Sequence, residues 1–277
     1  MRIGVLFSRL RVDEKLIFEA LERRGVAYDR IDDRETAFDL SERTLQHDLV
    51  LVRSISQSRC LYASAILNNL GVPTVNSHQV IANCADKVVT SALLARAGLA
   101  VPRTVVALTP QAALCAIESM GYPVVLKPVV GSWGRCVSKI NDREAAEAVL
   151  EHKAQIGSSQ HAICYIQEYV QKPGRDIRVV VIGDKPVAAM YRCSSHWITN
   201  AARGSSNSRC EITTEIGDTA VAAASSVGGG AVAVDLLESP RGLLVNEVNG
   251  TMEFKACTEA TGVDIAGCVV AYALSQL

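Results

Sequence analysis

Short apolar runs with strand character alternate with helical stretches along the whole chain, and several of the helical stretches stop at a glycine. That alternation confines the fold to α/β or α+β layering, because each helix must bury its apolar stripe against a sheet. A strand at Ile3–Phe7 is followed by a helix near Asp13–Arg24, closed by Gly25. Leu49–Val52 reads as a buried strand, Leu61–Leu70 as a helix ended by Gly71, and Val72–Val75 as a short strand. The spacing predicts a helix over Lys87–Ala97, and Thr109-Pro110 begins another that stops at Gly121. Strands follow at Val124–Lys127 and Cys136–Ile140 around a turn at Gly131–Gly134, then a helix over Asp142–Lys153. The remainder reads as strands Cys164–Tyr169, Asp176–Ile182 and Val187–Cys193, a polar loop Thr199–Ser208, and a helix Thr214–Val227. Strands Val232–Leu237 and Leu243–Val248 and a last helix Ile265–Ser275 complete the pattern.

A chain of 277 residues is long enough for two or three small lobes. The formal net charge of −1 gives no electrostatic reason to expect nucleic acid or an anionic membrane as partner. No apolar run approaches the roughly 18–20 residues of a membrane helix, and Met1–Phe7 is too short an apolar stretch for a signal peptide. The nine cysteines are scattered singly, without the paired spacings of a zinc site or a disulfide framework. Reduced thiols in a cytoplasmic protein are the expectation.

Four groups of residues carry chemistry. Asp235 lies in one C-terminal strand, and Glu247 and Asn249 end the next, two apart and so on one face. Such hard oxygen donors suit Mg²⁺, which takes few protein ligands; solvated acids on half-exposed strands are the plain alternative. Lys127 ends an apolar strand and precedes Gly131-Ser132-Trp133-Gly134-Arg135, whose glycines let backbone N–H groups approach phosphate. A hairpin turn with a surface lysine fits that segment equally well. In Gln167-Glu168-Tyr169-Val170 an apolar strand turns polar, where backbone groups can read an adenine edge and Glu168 a ribose, or where the strand merely leaves the core. Arg178 and Arg192 sit in apolar strands, where a guanidinium needs an acid or an anionic ligand as partner.

As a set these residues resemble the ATP-grasp ligases of the RimK-type branch. The resemblance rests on Asn83–Lys87, Pro123–Pro128, Gly131–Arg135, Gln167–Val170, Gly174–Arg178 and Asn246–Asn249. His196–Asn200, Ala202–Gly204 and Thr251–Lys255 bring the chain close to the LysX-type enzymes, which join the α-amino group of 2-aminoadipate to the C-terminal glutamate of the carrier protein LysW. The resemblance implies an ATP-grasp fold with an N-terminal lobe (1–84), a central lobe (85–165) and a C-terminal lobe (166–277), and ATP between the last two. It assigns Lys87, Lys127 and Asp176 to the nucleotide, Gly131, Ser132, Trp133, Gly134 and Arg135 to a lid, and Gln167, Glu168, Tyr169 and Val170 to the adenine hinge. Asn200 lies close to ATP, and Arg178, Arg192 and Arg203 hold the phosphoryl group, the acyl phosphate or a substrate carboxylate. Asp235, Glu247 and Asn249 hold Mg²⁺.

It also implies an acidic LysW-like carrier as partner, an acyl phosphate intermediate, and a homo-oligomer. Ala256-Cys257 stands where these enzymes choose their amino acid; small Cys257 leaves room for 2-aminoadipate. Glu259-Ala260-Thr261, however, is closer to the counterpart that uses glutamate for arginine biosynthesis. A RimK-like ligase acting on a peptide tail, and a nucleotide-binding module without catalysis, are the other readings.

Overall fold

In the computed structural model, residues 1–41, 46–131, 133–156, 159–199 and 204–277 are described. The first lobe is a parallel sheet in the order β2-β1-β3-β4, built from β1 (Arg2–Phe7), β2 (Ala27–Asp32), β3 (Leu49–Arg53) and β4 (Thr74–Val75). Helices α1 (Val12–Arg23) and α2 (Gln57–Asn69) make the crossovers around it. All five residues of β3 are buried, which is why it reads as an unbroken apolar run rather than an alternating one. Helices α3 (His78–Ala85) and α4 (Lys87–Arg96) then lead away.

The central lobe is an antiparallel sheet, order β5-β8-β6-β7, from β5 (Thr104–Ala107), β6 (Val124–Lys127), β7 (Ser138–Ile140) and β8 (Cys164–Glu168). Helices α5 (Pro110–Met120), α6 (Arg143–Ile156) and α7 (Ser159–Ala162) accompany it. Thr109 caps α5 by accepting from Ala112 N (3.2 Å), with proline in the first turn as the sequence anticipates. The boundary anticipated after residue 165 falls inside β8, whose pairing continues to Gln167 with β5 and to Glu168 with β6.

The third sheet, order β11-β10-β9-β12-β13, joins β9 (Arg175–Ile182), β10 (Lys185–Cys193), β11 (Ser206–Arg209), β12 (Ala231–Ser239) and β13 (Gly242–Asn249). Helix α8 (Thr214–Ser226) packs beneath it, and α9 (Lys255–Thr261) and α10 (Ile265–Leu274) follow. One hydrophobic core runs through the first and third lobes, from Ile3, Phe18 and Leu21 to Met190, Phe254 and Val270. The central sheet keeps a core of its own around Ile117, Leu126 and Ile166. The cleft therefore opens between a two-lobed body and a separately packed central lobe. Among the described residues no single helix is long and apolar enough to cross a membrane.

Asn76 fastens the first lobe to the third. Its amide nitrogen donates to Ala231 O (2.8 Å) and Gly250 O (2.6 Å), and its oxygen accepts from Ala231 N (2.6 Å). Gly230, at φ +94°, lies against it; an added Cβ would fall 2.2 Å from Asn76 Oδ1. Gly230→Ala is therefore expected to cost about 3 kcal/mol or more, from a strained backbone plus broken buried hydrogen bonds. Urea unfolding checks this, with Gly242→Ala, an open position, as the comparison for backbone strain alone.

Candidate active site

The cleft holds about 800 Å³ of empty space, walled by the first residue of α4, the end of β6, the glycine turn after it, the end of β8, and β13. Asp86 caps α4 by accepting from Val88 N (2.8 Å) and Val89 N (3.2 Å), which fixes Lys87 at the helix start. Lys87 Nζ donates to Gly131 O (2.6 Å) and lies 3.5 Å from Glu247 Oε1. Lys127 Nζ donates to Asn246 Oδ1 (2.9 Å). The two lysines and Glu247, far apart in the chain, thus meet at one end of the cleft.

Asn246 and Glu247 are adjacent residues of one strand, yet both line the cavity. A β-bulge explains this: Asp235 pairs with Glu247 while Leu236 pairs with Val245, leaving Asn246 as the extra residue. Strict alternation points Asn246 away from the Glu247 face, so no strand pattern selects it.

Beneath this floor runs a lattice of buried charge. Arg178, Asp235 and Glu247 stand directly opposite one another on β9, β12 and β13 and so share a face. Arg178 donates twice to Asp235 (2.8 and 2.9 Å), and Arg192 reaches Asp235 at 3.0 Å and Asp176 at 2.7 and 2.9 Å. The Thr199 hydroxyl donates to Asp176 and accepts from Lys172 Nζ (2.7 Å). Burial pushes the Asp235 carboxyl up, but Arg178 and Arg192 together outweigh this and hold it at about 2.

Lys127 shows the opposite balance. Burial drives its ammonium down to about 8; Glu247 opposes the shift, and Lys87 and Lys172 add to it. Because the folded value lies below the unfolded one, the cost to stability is full below about pH 8 and fades as pH rises toward the ordinary lysine value. A bound polyphosphate restores the charge, so nucleotide affinity is expected to fall as pH rises above 8, by up to about tenfold per unit. Calorimetric titration of an ATP analogue from pH 7 to 9 checks this, with Lys127→Met binding weakly and without that slope.

Most of the sequence-derived residues meet here. Lys87, Lys127, Gly131, Trp133, Gly134, Arg135, Gln167, Glu168, Tyr169, Val170, Asp176 and Glu247 all line the cavity. Glu168 is already engaged, accepting from Arg103 N (2.7 Å) and pairing with Arg241. Lys139 Nζ sits 3.7 Å above the Tyr169 ring, and Trp197 meets that ring edge-on. Arg178 and Arg192 are turned to acids rather than to the open cavity, the ion-pair alternative for such arginines. Asn249 lines a neighbouring cavity together with Glu247 and donates its amide nitrogen to Ala233 O (3.4 Å), leaving its oxygen for a ligand. Ala256 and Cys257 lie in the core shared by the first and third lobes, Cys257 with no exposure. Ser132, Asn200 and Arg203 fall outside the described residues. Lys172, Trp197 and Thr199 line the cavity without having been selected; as loop residues they carry no periodic signal.

The oxygen donors of Glu247 and Asn249 fit a Mg²⁺ ion, which keeps most of its sites for water and phosphate; Asp235, expected as a third donor, is buried with both oxygens taken by Arg178 and Arg192 and lines neither cavity. Among the described residues no group of three or more His, Cys, Asp or Glu side chains is assembled for a metal held by protein alone. A cation held jointly with a nucleotide is what this donor set suits.

A cleft between two sheets, with two lysines and a metal-fitting strand end, is the arrangement of an ATP-grasp enzyme. The chain belongs to the RimK-like ATP-grasp family: the family's domain model matches residues 84–273, and a LysX preATP-grasp domain matches residues 3–83. It is an ATP-grasp ligase of the carboxylate–amine kind, a family that uses ATP and Mg²⁺ in general. It is 38% identical over 275 residues to a glutamate–LysW ligase, ArgX, of Sulfurisphaera tokodaii, covering 98% of both chains. It is 34% identical over 272 residues to an α-aminoadipate–LysW ligase, LysX, of the same organism, covering 96% and 95%. A RimK domain ATP-grasp protein from Sphaerobacter thermophilus superimposes with a TM-score of 0.85 at 26% identity, over 99% of this chain and all of the other.

Proposed function

We propose that this protein joins the α-amino group of an acidic amino acid, 2-aminoadipate or glutamate, to the side-chain carboxylate of the C-terminal glutamate of a LysW-type carrier protein. The meeting of Lys87, Lys127 and Glu247 at one end of the nucleotide cleft carries the reading. Lys87 and Lys127 hold the ATP phosphates, and the turn at Gly131–Arg135, with Ser132 inside it, covers them. Gln167–Val170 line the adenine side and Asp176 lies along the nucleotide; Asn200, outside the described residues, is assigned to the nucleotide as well. Glu247 and Asn249 would hold Mg²⁺, which would neutralise charge developing on the transferred phosphoryl group, while Asp235 supports that strand face from the buried charge lattice behind it.

A carboxylate is a poor electrophile, because an oxide would have to leave. The carboxylate oxygen takes the γ-phosphoryl group of ATP, the bond from that phosphorus to the bridging oxygen breaks, and ADP departs. The amine then attacks the acyl carbon as its free base. The C–N bond forms, the C–O bond to phosphorus breaks, inorganic phosphate leaves with the electron pair, and the amine loses a proton. Fixed cations in a pre-formed cleft lower the barrier to the first step chiefly by charge stabilisation. Arg178 and Arg192 keep Asp235 ionised beneath the cleft floor, and Arg203, outside the described residues, is assigned to a substrate carboxylate.

Glutamate stands beside 2-aminoadipate for a specific reason. The room offered by Cys257 is core volume in this structure, and identity to the glutamate enzyme is the higher of the two, 38% against 34%. The test is carrier ligation with each amino acid in turn, read by mass. The carrier is expected to gain one aminoadipyl or one glutamyl residue, with ADP formed only when carrier and amino acid are both present. ADP formation without any carrier mass gain would contradict the reading.

A further inference from the structure

Thr104, Tyr165 and Gln167 share one face of the central sheet: Thr104 pairs with Gln167 across β5 and β8, and Tyr165 and Gln167 lie two apart on β8. Gln167 is buried and lines the nucleotide cavity. Its amide nitrogen donates to Tyr165 Oη (3.2 Å) and to Thr104 Oγ1 (3.4 Å). A side-chain amide can be turned over, exchanging its donor and acceptor ends. Here the neighbours forbid the exchange. Thr104 commits its single hydroxyl hydrogen to Pro102 O (2.9 Å), which only accepts, so toward Gln167 that hydroxyl can only accept. Tyr165, 1% exposed, accepts from Gln167 and keeps its own hydrogen for Ser91 Oγ on α4, 2.7 Å away.

The bonds therefore run in one direction, outward from the Gln167 nitrogen, and the amide oxygen is turned the other way. That oxygen is not among the buried side-chain atoms left without a partner, so it is open to the cavity that Gln167 lines. An open amide oxygen accepts from an exocyclic amine and offers nothing to a base edge that lacks one. We infer that Thr104 and Tyr165 are positioning residues that fix the donor–acceptor sense of Gln167, and so make the cleft select a purine carrying a 6-amino group. The inference rests on the nucleotide reading above, and adds to it what selects the base. Thr104 and Tyr165 act through Gln167, since of the three only Gln167 lines the cavity.

The test is calorimetric titration of the full chain, with Mg²⁺ and without carrier, using ATP and purine riboside triphosphate, which differs from ATP only in lacking the 6-amino group. Wild type is expected to prefer ATP by about tenfold or more, the effect of facing a buried acceptor with no donor. In the Thr104→Val, Tyr165→Phe double variant the amide is free to turn. The preference is then expected to fall to about threefold or less, with affinity for the amine-free triphosphate within about threefold of wild type. Thr104→Ser, which keeps the hydroxyl, is expected to retain the wild-type preference. A merely structural role for these residues would weaken both triphosphates alike and leave their ratio unchanged. No preference in wild type, a double variant that keeps the wild-type ratio, or a Thr104→Ser variant that loses it overturns the proposal. Failure of the nucleotide reading looks different: wild type then binds neither triphosphate, which overturns both.

Discussion

Replacing Glu247 by alanine is expected to lower carrier-dependent ADP formation by about 10³-fold or more while leaving Tm nearly unchanged. The size follows from what the side chain does in the proposed site: it supplies a metal oxygen where charge develops in the phosphoryl-transfer step. The small effect on stability follows from its setting. Glu247 is half-buried on the cleft wall, and Lys87, its ion-pair partner among the described residues, is 3.5 Å away and holds a second partner in Gly131 O. A partly solvated pair of this kind contributes about 0–1 kcal/mol, roughly 2–4 °C at most in a chain of this size. Steady-state ADP release and a melting curve on the same preparation check both halves. Appreciable residual turnover would mean the metal side of the cleft is assigned wrongly.

Asp235→Ala is expected to fail in a different way, by loss of the fold itself. Among the described residues its carboxylate is the one partner of the Arg178 guanidinium, and it is the second acid of Arg192, which is itself 2% exposed. Removing one member of such a group strands buried positive charge, at a cost of about 3–5 kcal/mol. Tm should fall on the order of 10 °C. The pH dependence has a definite sign. With its folded value held at about 2, Asp235 adds stability that is present above the ordinary carboxylate range and lost as pH falls through it toward 2. Acid melting of wild type should steepen in that window, and Asp235→Ala should lack that component.

The contrast between these two acids shows how far the sequence can be read. Spacing alone put Glu247 and Asn249 on one strand face, and Lys127 at a strand end beside a glycine turn; the structure has both features. Helix starts at Thr109 and stops at Gly121 were legible because capping is local chemistry. The elements that escaped were those whose identity depends on partners. β11 is Ser206-Asn207-Ser208-Arg209, fully exposed and polar, and is a strand only because β10 lies beside it. β2 carries charges on a half-exposed surface, so no alternation marks it. The bulge that turns Asn246 beside Glu247 depends on pairing across β12 and β13, which no single-strand pattern encodes. The pairing of Arg178 with Asp235, 57 residues on, is likewise a product of sheet order. Local rules found the chemistry-bearing residues; tertiary pairing decided which of them face the cleft and which hold up its floor.

In the proposed reaction a phosphoryl group passes to a carboxylate at the Lys87–Lys127–Glu247 end of the cleft. Supplying a carrier whose terminal glutamate carboxylates are labelled with ¹⁸O tests this most directly, by mass analysis of the phosphate released in one turnover. An acyl phosphate intermediate places one ¹⁸O atom in each inorganic phosphate, with ADP as co-product. Unlabelled phosphate, or AMP and pyrophosphate in place of ADP and phosphate, would contradict it.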